Sequence, residues 1–317
     1  MWKERQAELL REEIEALLAP LSNIASFYDL VKEPLTKARR GLAPDAVHDQ
    51  PWPLIPLMVC EAICGHYEQA LPAAAAFELL KAAAEVFDDI EDADSSDSLS
   101  TKYGSAIATN AATTLLVLAE KAITRLRERG VADYITVCVM NVVNSYYTTA
   151  CAGQHLDLSL NSEISISEDT YLRVIGMKSA SQIECACKIG ALLAKANQEL
   201  VDAFAKFGQN LGMASQITND IQGIIRGNDI LKHKITLPVI YALAQTDNEV
   251  RNQLKFAFGK PTELMPDAAQ IRDMLFSTGA IHYATIKMEF HKQMALDILS
   301  KSEVAGTCVE RLKLFLE

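Results

Sequence analysis

The scarcity of helix-breaking residues constrains the fold of this chain more than any other feature of its sequence. Fourteen glycines and ten prolines are spread over 317 residues, whereas these two residue types ordinarily make up roughly 12% of a protein. Three of the prolines fall in the single stretch 41–53, and strong helix formers fill most of the chain after it. We therefore predict an all-α fold, with residues 1–317 forming one domain built as a bundle of long antiparallel helices.

Charge and hydropathy exclude several classes of partner. The net charge of −11 argues against nucleic acid, because binding to a phosphate backbone depends on clustered lysines and arginines. The most apolar stretch, 71–87, contains Glu78, Lys81 and Glu85 and is too polar for the roughly 18 residues of a membrane span. We therefore expect a cytoplasmic protein without a transmembrane segment. Its seven cysteines, an odd number, are typical of reduced thiols rather than of a disulfide framework.

An acidic cluster ends the long helix predicted over 71–93. Asp88 and Asp92 are four residues apart and share one face of a helix, and Asp89 lies beside them. Carboxylates at the C-terminal end of a helix oppose its macrodipole and repel one another, so the cluster is costly unless a cation binds there. Closely spaced oxygen ligands on a rigid helix suit Mg²⁺, which takes its remaining ligands from water and phosphate groups.

A second polar cluster lies at the end of another apolar helix, where Asn219 precedes Asp220. Lys178 lies in a helix of otherwise apolar and small residues, and Lys232 and Lys234 follow the second cluster. Two acidic clusters with lysines between them are suited to hold several Mg²⁺ ions and a diphosphate, because the metal ions and the lysines together neutralise the phosphate charge. The combination predicts diphosphate chemistry.

The order of these motifs resembles that of the trans-isoprenyl diphosphate synthases, or polyprenyl synthetases, of the type I isoprenoid synthase superfamily. The resemblance covers about residues 50–245. The segments that carry it are FDDIED at 87–92, GQHLDL at 153–158, KSA at 178–180, GQNLGMASQITNDI at 208–221 and DILKHKITLP at 229–238. The resemblance implies the isoprenoid synthase fold, in which the helices surround a central apolar cavity, and it implies a homodimer.

The resemblance also implies roles for individual residues. The implied metal ligands are Asp88, Asp89 and Asp92, with a weaker second set, Asn219 and Asp220; the implied catalytic cations are Lys178 and Lys234; the implied substrate contacts are Gln154, Gln216, Lys81, Ala83 and Ala84. Ala83 and Ala84 precede the aspartates where bulky residues of the family close the pocket for the isoprenyl chain, so their small side chains imply a deep pocket. Asp157 is expected to hold a lysine or a water molecule.

Several departures from the family pattern concern the site of isopentenyl diphosphate. The family's Gly-Lys-Arg-x-Arg-Pro is replaced by DQPWP at 49–53, and the arginine pair after the first acidic motif is absent. Lys81 replaces the family's histidine seven residues before Asp88, and we expect it to compensate for the lost charge only in part. The second acidic motif lacks two of its three carboxylates, with Gly223 at the third position, and the loop to Asp229 is shortened.

Together the motifs predict a Mg²⁺-dependent prenyltransferase that ionises an allylic isoprenyl diphosphate, has a degraded isopentenyl site and uses a second acceptor substrate. This pattern resembles the pheromone-modifying prenyltransferases of the ComQ type, which transfer the allylic group to a peptide tryptophan. Three alternatives stay open: a polyprenyl diphosphate synthase that elongates chains, a terpene cyclase derived from this fold, and a non-catalytic regulatory subunit of a prenyl synthase.

Overall fold

A computed structural model describes residues 2–38, 40–43, 52–92, 97–160, 165–245, 248–259, 267–302, 304 and 307–316. Most of these residues lie in helices and none lies in a strand, which confirms the predicted all-α fold. The α-helices are α1 (Trp2–Leu18), α2 (Ala25–Thr36), α3 (Ile55–Cys64), α4 (Leu71–Asp92), α5 (Leu99–Tyr103), α6 (Ser105–Thr124), α7 (Asp133–Leu160), α8 (Glu168–Ile175), α9 (Ser181–Leu193), α10 (Gln198–Arg226), α11 (Asn228–Leu231), α12 (Leu237–Gln245), α13 (Asn248–Ala257), α14 (Ala268–Ser277), α15 (Ala280–Lys301) and α16 (Thr307–Lys313). Short 3-10 segments span Ala19–Asn23, Trp52–Leu54, Glu68–Ala70, Arg125–Arg129 and Leu314–Leu316, and a π-helical segment spans Gly176–Ala180.

Small side chains bring α4 and α6 together along much of their length. The buried alanines are Ala73, Ala74, Ala75, Ala76, Ala82 and Ala83 on α4 and Ala108, Ala111, Ala112, Ala119 and Ala122 on α6. Alanine has the highest helix propensity and lets two helices approach closely, because its side chain ends at Cβ. This packing holds α4 in place, and the acidic motif is at the C-terminal end of α4.

The apolar core has two main parts, and α10 passes through both. The larger part is formed by residues of α1, α2, α3, α4, α6, α7 and α9 and of the first half of α10, together with residues of α15, α16 and the 3-10 segment Leu314–Leu316. The second part includes α8, the second half of α10, α12, α14 and α15. Helix α10 has 29 residues and is therefore about 43 Å long. Its C-terminal half carries the second polar motif to the same region of the molecule as the first.

Local sequence signals account for several helix ends. Ser167 caps α8, because its side chain accepts a hydrogen bond from the backbone N–H of Thr170. Gly227 ends α10 with a positive φ of 83°, a conformation that glycine adopts without steric cost. The segment 234–243 contains β-branched residues, but a lone strand would have no partner to pair with, so the sequence favours a helix. Helix α12 begins within this segment. The pattern over 103–129 predicts one continuous helix, but Gly104, whose φ is 84°, interrupts it.

One helical stretch among the described residues, Ser105–Arg129, is long and apolar enough to cross a membrane by length and composition alone. This corrects the expectation that no apolar run of the chain reaches the length of a membrane span. The difference arises because α6 is rich in alanine, leucine and threonine and has no charged residue before Glu120. Its buried face packs against α4 in the core, which explains its composition without a membrane.

Candidate active site

A cleft of about 790 Å³ opens where the C-terminal ends of α4 and α10 approach α8. Its walls come from α4, α7, α8, the π-helical segment, α10 and the connection from α11 to α12. The lining residues are Asp88, Glu91, Asp92, Asp157, Leu160, Ile166, Tyr171, Val174, Ile175, Lys178, Ser179, Gln216, Asn219, Asp220, Asp229, Leu231, Lys232, His233, Lys234, Ile235 and Thr236. Both acidic motifs and both predicted catalytic lysines therefore line one cleft, although they are far apart in the sequence.

Asp88 is held by groups from two other elements. The Nε2 group of Gln154 donates to Oδ1 of Asp88 at 3.0 Å and to Oε2 of Glu91 at 2.8 Å. The Nζ atom of Lys178 lies 3.0 Å from the same Oδ1 of Asp88. The structure thus brings together Asp88, Gln154 and Lys178, three residues that the motifs predicted for this site.

Lys178 is positioned by an irregular stretch of helix. It lies in the π-helical segment Gly176–Ala180, and such segments are frequent at functional sites because the extra residue changes the direction of side chains. Gly153 of α7 packs directly on this segment, since a Cβ there would overlap the backbone nitrogen of Lys178. The Nζ atom lies 2.8 Å from Oδ2 of Asp157, the contact that we expected for this aspartate. Burial lowers the pKa of Lys178, but Asp157 and Asp88 outweigh it and hold the pKa well above its usual value.

Asp220 is the most buried carboxylate of the cleft, with 6% of its surface exposed. The Tyr171 hydroxyl donates to its Oδ2 at 2.5 Å, and Nε2 of Gln216 donates to its Oδ1 at 2.8 Å. Burial raises the pKa of Asp220 to about 7, because the hydrogen bonds from Tyr171 and Gln216 offset the loss of water only in part and the charges of Asp229 and Asp157 add repulsion. A nearby cation would keep this carboxylate ionised at neutral pH.

The connection after α11 forms another part of the cleft wall. The Nζ atom of Lys234 lies 3.5 Å from Oδ2 of Asp92 and so links this connection to α4. Its backbone N–H donates to the carbonyl oxygen of Asp229 at 2.9 Å. Asn219 also lines this side of the cleft. The second lysine predicted to be catalytic therefore faces the first acidic motif rather than the second.

Asp89 and Lys81 lie outside the lining of the cleft. Asp89 is oriented toward α2, where its Oδ2 lies 3.6 Å from Nζ of Lys37. The Nζ atom of Lys81 lies 5.6 Å from the centre of the Trp52 ring, a cation–π contact. Asp89 thus contacts the residue that follows α2, and Lys81 contacts the 3-10 segment Trp52–Leu54.

Ala83 and Ala84 also lie outside the cleft lining, on different faces of α4. Ala83 is fully buried in the core. Ala84 is half-buried and lies one turn from both Asp88 and Leu80, so the three residues share one face. A small apolar void of about 10 Å³ lies further along this face, and its lining residues are Ala73, Ala76, Phe77, Leu80, Ile123, Val139, Val143, Tyr147, Cys185 and Ile189. The apolar cavity implied by the resemblance is narrow in this structure.

Three lining residues escaped prediction from the sequence. Tyr171 lies seven residues before Lys178, a spacing that places two residues on one helix face, and this was the only available signal for it. Glu91 was visible within the acidic motif but was not distinguished from its neighbours. Asp229 was noted only as part of a motif, and its contact with the end of α10 depends on the path of the chain after Gly227.

The donor set of the cleft fits magnesium. Six carboxylates and three lysines line the cleft, so its net charge is negative and bound cations would balance it. In the described part of the chain no three acidic, histidine or cysteine side chains come close enough to enclose a metal ion by themselves. Mg²⁺ is commonly held by one or two carboxylates together with water and substrate phosphates, so Asp88 and Asp92 on one wall and Asp220 on the other suit it.

Comparison with known proteins identifies the family. The sequence profile of the polyprenyl synthetases matches residues 52–275. The chain belongs to the polyprenyl synthetase family. A geranylgeranyl diphosphate synthase of Methanosarcina mazei is 31% identical over 223 residues, which cover 66% of this chain and 68% of that protein. Membership of the polyprenyl synthetase family confirms the predicted class of enzyme, a transferase that acts on isoprenyl diphosphates.

Solved structures share the fold of this polyprenyl synthetase. Geranylgeranyl pyrophosphate synthetase from Pyrococcus horikoshii superposes with a TM-score of 0.87 at 24% identity, covering 99% of this chain and 95% of that one. Geranylgeranyl pyrophosphate synthase from Corynebacterium glutamicum, crystallised with isoprenyl diphosphate and magnesium, superposes with a TM-score of 0.82 at 21% identity, covering 98% and 97%. The predicted isoprenoid synthase fold is confirmed.

Proposed function

We propose that this polyprenyl synthetase is a Mg²⁺-dependent prenyltransferase that ionises an allylic isoprenyl diphosphate. The observation that carries the proposal is the cleft itself, which the acidic motifs of α4 and α10 both line and in which Lys178 lies between Asp88 and Asp157. The magnesium in the crystal of the Corynebacterium glutamicum enzyme supports the choice of metal. Asp88, Asp92 and Asp220 would hold Mg²⁺, which neutralises the leaving diphosphate when it is bound.

The side chains of the chain itself account for the remaining parts of the reaction. Lys178 and Lys234 place fixed positive charge where negative charge develops on the leaving diphosphate, the arrangement that lowers an ionisation barrier. Gln154 and Gln216 orient Asp88 and Asp220 through the hydrogen bonds described above. The apolar face of α4 that runs from Asp88 past Ala84 to the void would exclude water from the allylic cation.

We further propose that the protein uses isopentenyl diphosphate poorly. Arg40 and Lys37, the cations beside the face of α4 that carries Asp89, already form ion pairs with carboxylates of α4. The Arg40 guanidinium is 5% exposed and pairs with Glu78, which is fully buried, at 3.8 Å and with Glu85. Nζ of Lys37 lies 3.7 Å from Glu85 and 3.6 Å from Asp89. A diphosphate would have to displace these carboxylates, and breaking a buried ion pair is strongly unfavourable. Asp49 and Gln50, which replace the family's cations, lie outside the described residues.

Chain elongation is the second candidate function. It is favoured by the name of the relative from Methanosarcina mazei, a geranylgeranyl diphosphate synthase. In chain elongation, Lys81 would bind the diphosphate of the isopentenyl substrate. Lys81 contacts Trp52 and so lies near the replaced motif. A regulatory subunit is the other outcome that the experiment below distinguishes, whereas an acceptor transferase of the ComQ type and a terpene cyclase both share the expected result.

The experiment incubates the purified protein with geranyl, farnesyl and geranylgeranyl diphosphates, each with and without labelled isopentenyl diphosphate. We expect Mg²⁺-dependent release of diphosphate with little incorporation of label. Efficient incorporation at low micromolar isopentenyl diphosphate would establish chain elongation instead. Absence of diphosphate release from every allylic substrate would contradict the proposal and favour a regulatory subunit. An Asp88→Ala variant with unchanged helix content serves as the inactive control.

We also propose that two copies of the chain pair through the exposed faces of α6 and α7. No charged residue occurs between Asp133 and Asp157 on α7, or before Glu120 on α6. Four large apolar side chains are exposed on these helices, namely Ile107, Val117, Tyr134 and Val137. A chain with a net charge of −11 repels its own copies through its charged surfaces, so a second copy is best accommodated on this neutral face.

A further inference from the structure

Three exposed pairs, each an apolar residue beside a cation in the sequence, occur where helices end near the cleft. The pairs are Ile225 with Arg226 at the end of α10, Leu231 with Lys232 at the end of α11, and Phe256 with Lys255 near the end of α13. Leu231 is 70% exposed and Phe256 is 46% exposed. Single exposed apolar residues are ordinary, but a contiguous group of them marks a surface that binds a partner.

Two hydrogen bonds bring the three pairs together. The N–H of Leu231 donates to the carbonyl oxygen of Gly227 at 3.0 Å, and Gly227 directly follows the first pair. Nδ1 of His233, which directly follows the second pair, lies 2.9 Å from the carbonyl oxygen of Ala257, which directly follows the third. Helix α14 contacts both α11 and α13 and adds Phe276, which is 49% exposed. The three pairs and Phe276 are therefore neighbouring parts of one surface, which we call the basic apolar rim.

The charge of the basic apolar rim is opposite in sign to that of the whole chain. Residues 225–234 and helix α13 contain five cations and two carboxylates, Asp229 and Glu249, whereas the chain carries a net charge of −11. Asp229 is half-buried in the cleft, and the adjacent charges of Arg272 and Asp273 on α14 offset each other. The exposed charge of the rim is therefore positive.

We propose that the basic apolar rim docks on the surface of a membrane that contains anionic lipids. Apolar side chains with cations beside them match such a surface, because the apolar groups enter the boundary of the acyl chains while the cations lie among the anionic headgroups. The positive charge of the rim provides the complementarity, since most of this acidic chain would be repelled by the same lipids.

The position of the basic apolar rim beside the cleft favours a bilayer over an acidic protein partner. Leu231 and Lys232 belong to the rim and also line the cleft, so the rim borders the mouth of the cleft. An isoprenyl diphosphate has an apolar chain and a charged head, and each added apolar carbon strengthens its partition into a bilayer. Docking would let such molecules pass between bilayer and cleft. The docking itself is independent of the proposed function, whereas this transfer of substrate rests on it.

The test measures binding of the full-length protein to lipid vesicles by co-sedimentation. One set of vesicles contains equal parts of phosphatidylglycerol and phosphatidylcholine, and the other contains phosphatidylcholine alone. We expect the parent protein to bind the anionic vesicles and to dissociate from them as salt is added, because salt screens the cations. We expect Lys255→Glu, Phe256→Ser and Phe276→Ser each to weaken this binding at least about fivefold, since each removes a charge or a ring from the contact.

Phe290→Ser and Lys206→Glu are the matched controls and should bind vesicles as the parent does. They change an exposed phenylalanine of α15 and an exposed lysine of α10. Phe290 precedes His291, which contacts Asn210 of α10. Asn210 lies about 22 Å before the basic apolar rim along α10, and Lys206 lies one turn further away.

The outcomes separate the docking from the proposed function. A parent protein that does not sediment with anionic vesicles would overturn the inference, as would equal binding to phosphatidylcholine alone. Variants Lys255→Glu and Phe256→Ser that fold by circular dichroism and bind as the parent does would also overturn it, and so would an equal loss in Phe290→Ser. Release of diphosphate from geranyl diphosphate without vesicles tests the proposed function alone, and Lys255→Glu and Phe256→Ser should retain it. A parent protein without this activity would refute the proposed function and leave the docking intact.

Discussion

At the scale of single residues, Lys178 shows how the cleft sets the properties of a side chain. Its ammonium lies 3.0 Å from Asp88 and 2.8 Å from Asp157, and it is attached to a π-helical segment that α7 contacts through Gly153. The two carboxylates keep the ammonium charged despite its burial. A cation that is fixed in this way stabilises developing negative charge without having to reorganise.

We predict that Lys178→Ala lowers kcat by roughly 10²- to 10³-fold, because one fixed charge at the leaving diphosphate is lost. Binding of the unreacted allylic diphosphate should weaken less. The measurement is steady-state kinetics of diphosphate release with saturating Mg²⁺. Lys206→Ala, which removes an exposed lysine of α10, is the control and should be neutral. Parental turnover in Lys178→Ala would show that this lysine is only a partner of Asp88 and Asp157.

Residues whose role is a local property of the sequence were predictable, and those whose role depends on the path of the chain were not. Asp88 was predicted because an acidic helix end is costly without a cation, and Lys178 because it lies in an otherwise apolar helix and matches a motif of the family. Tyr171 was missed because a tyrosine in an apolar helix is usually part of the core, and only the structure places its hydroxyl 2.5 Å from Asp220. The position of Asp229 beside Gly223 required the turn at Gly227.

At the scale of elements, one face of α4 connects the cleft to the apolar void. Asp88, Ala84, Leu80 and Phe77 lie on this face at helical spacing, with Asp88 at the cleft and Phe77 and Leu80 at the void. The isoprenyl chain of a substrate whose diphosphate is near Asp88 would follow this face. We therefore expect the side chain at position 84 to control how far the isoprenyl chain extends.

We predict that Ala84→Phe shortens the longest allylic diphosphate that the protein accepts, since the ring would occupy the path between cleft and void. The measurement compares kcat/KM for geranyl, farnesyl and geranylgeranyl diphosphates. Ala83→Phe is the contrasting variant. It places the ring in the core and should destabilise the fold by roughly 1 to 3 kcal/mol through overpacking. An Ala84→Phe variant that folds normally and keeps the parental chain-length preference would refute this path for the chain.

His291 of α15 lies against α10 and has a lowered pKa. Nδ1 of His291 lies 2.9 Å from Oδ1 of Asn210. Burial lowers the pKa of His291, and the charge of Lys287 lowers it further. The unfolded chain binds a proton at the ordinary pKa of about 6.5, whereas the folded chain resists it. The folded state therefore loses stability relative to the unfolded state as the pH falls below about 6.5.

We predict that His291→Gln reduces this loss, so that the variant gains stability relative to the parent as the pH is lowered from 8 to 5.5. Urea unfolding at several pH values measures the difference. His282→Gln, at an exposed histidine of the same helix, should follow the parental profile. Parallel profiles for the parent and His291→Gln would show that the protonation of His291 is not linked to folding.

The helix ends illustrate what the sequence predicts well and what it does not. The cap at Ser167 and the end of α10 at Gly227 follow from side-chain and backbone preferences that act within a few residues. The break at Gly104 was missed because one glycine in a helical pattern is often tolerated. Its φ of 84° separates α5 from α6, so α5 packs as a separate short helix.

At the scale of the whole molecule, the distribution of charge distinguishes one surface from the others. The chain carries 41 acidic and 30 basic residues, yet the central parts of α6 and α7 contain none of either. This pattern was visible in the sequence. The exposure of Tyr134 and Val137 was not, because an apolar residue in a helix is normally expected to face the core.

We predict that Val137→Glu converts a dimer into a monomer, because a charge buried against a second copy without a partner is unfavourable. Sedimentation velocity or light scattering after gel filtration gives the mass. Phe290→Glu changes an exposed apolar residue on α15 and should leave the dimer unchanged. A monomeric parent protein would refute the proposed pairing, as would a Val137→Glu variant that remains dimeric.

The double contact of Lys178 has a consequence for the order in which ligands bind. Two of the three N–H groups of its ammonium are directed at Asp88 and Asp157, and a free diphosphate entering the cleft would meet a predominantly negative surface. Asp88 would hold a cation that reduces this negative charge, which would leave the ammonium, in its present position, available to an incoming phosphate oxygen. The protein should therefore show kinetics in which the metal, alone or as the metal–diphosphate complex, is the obligatory first ligand.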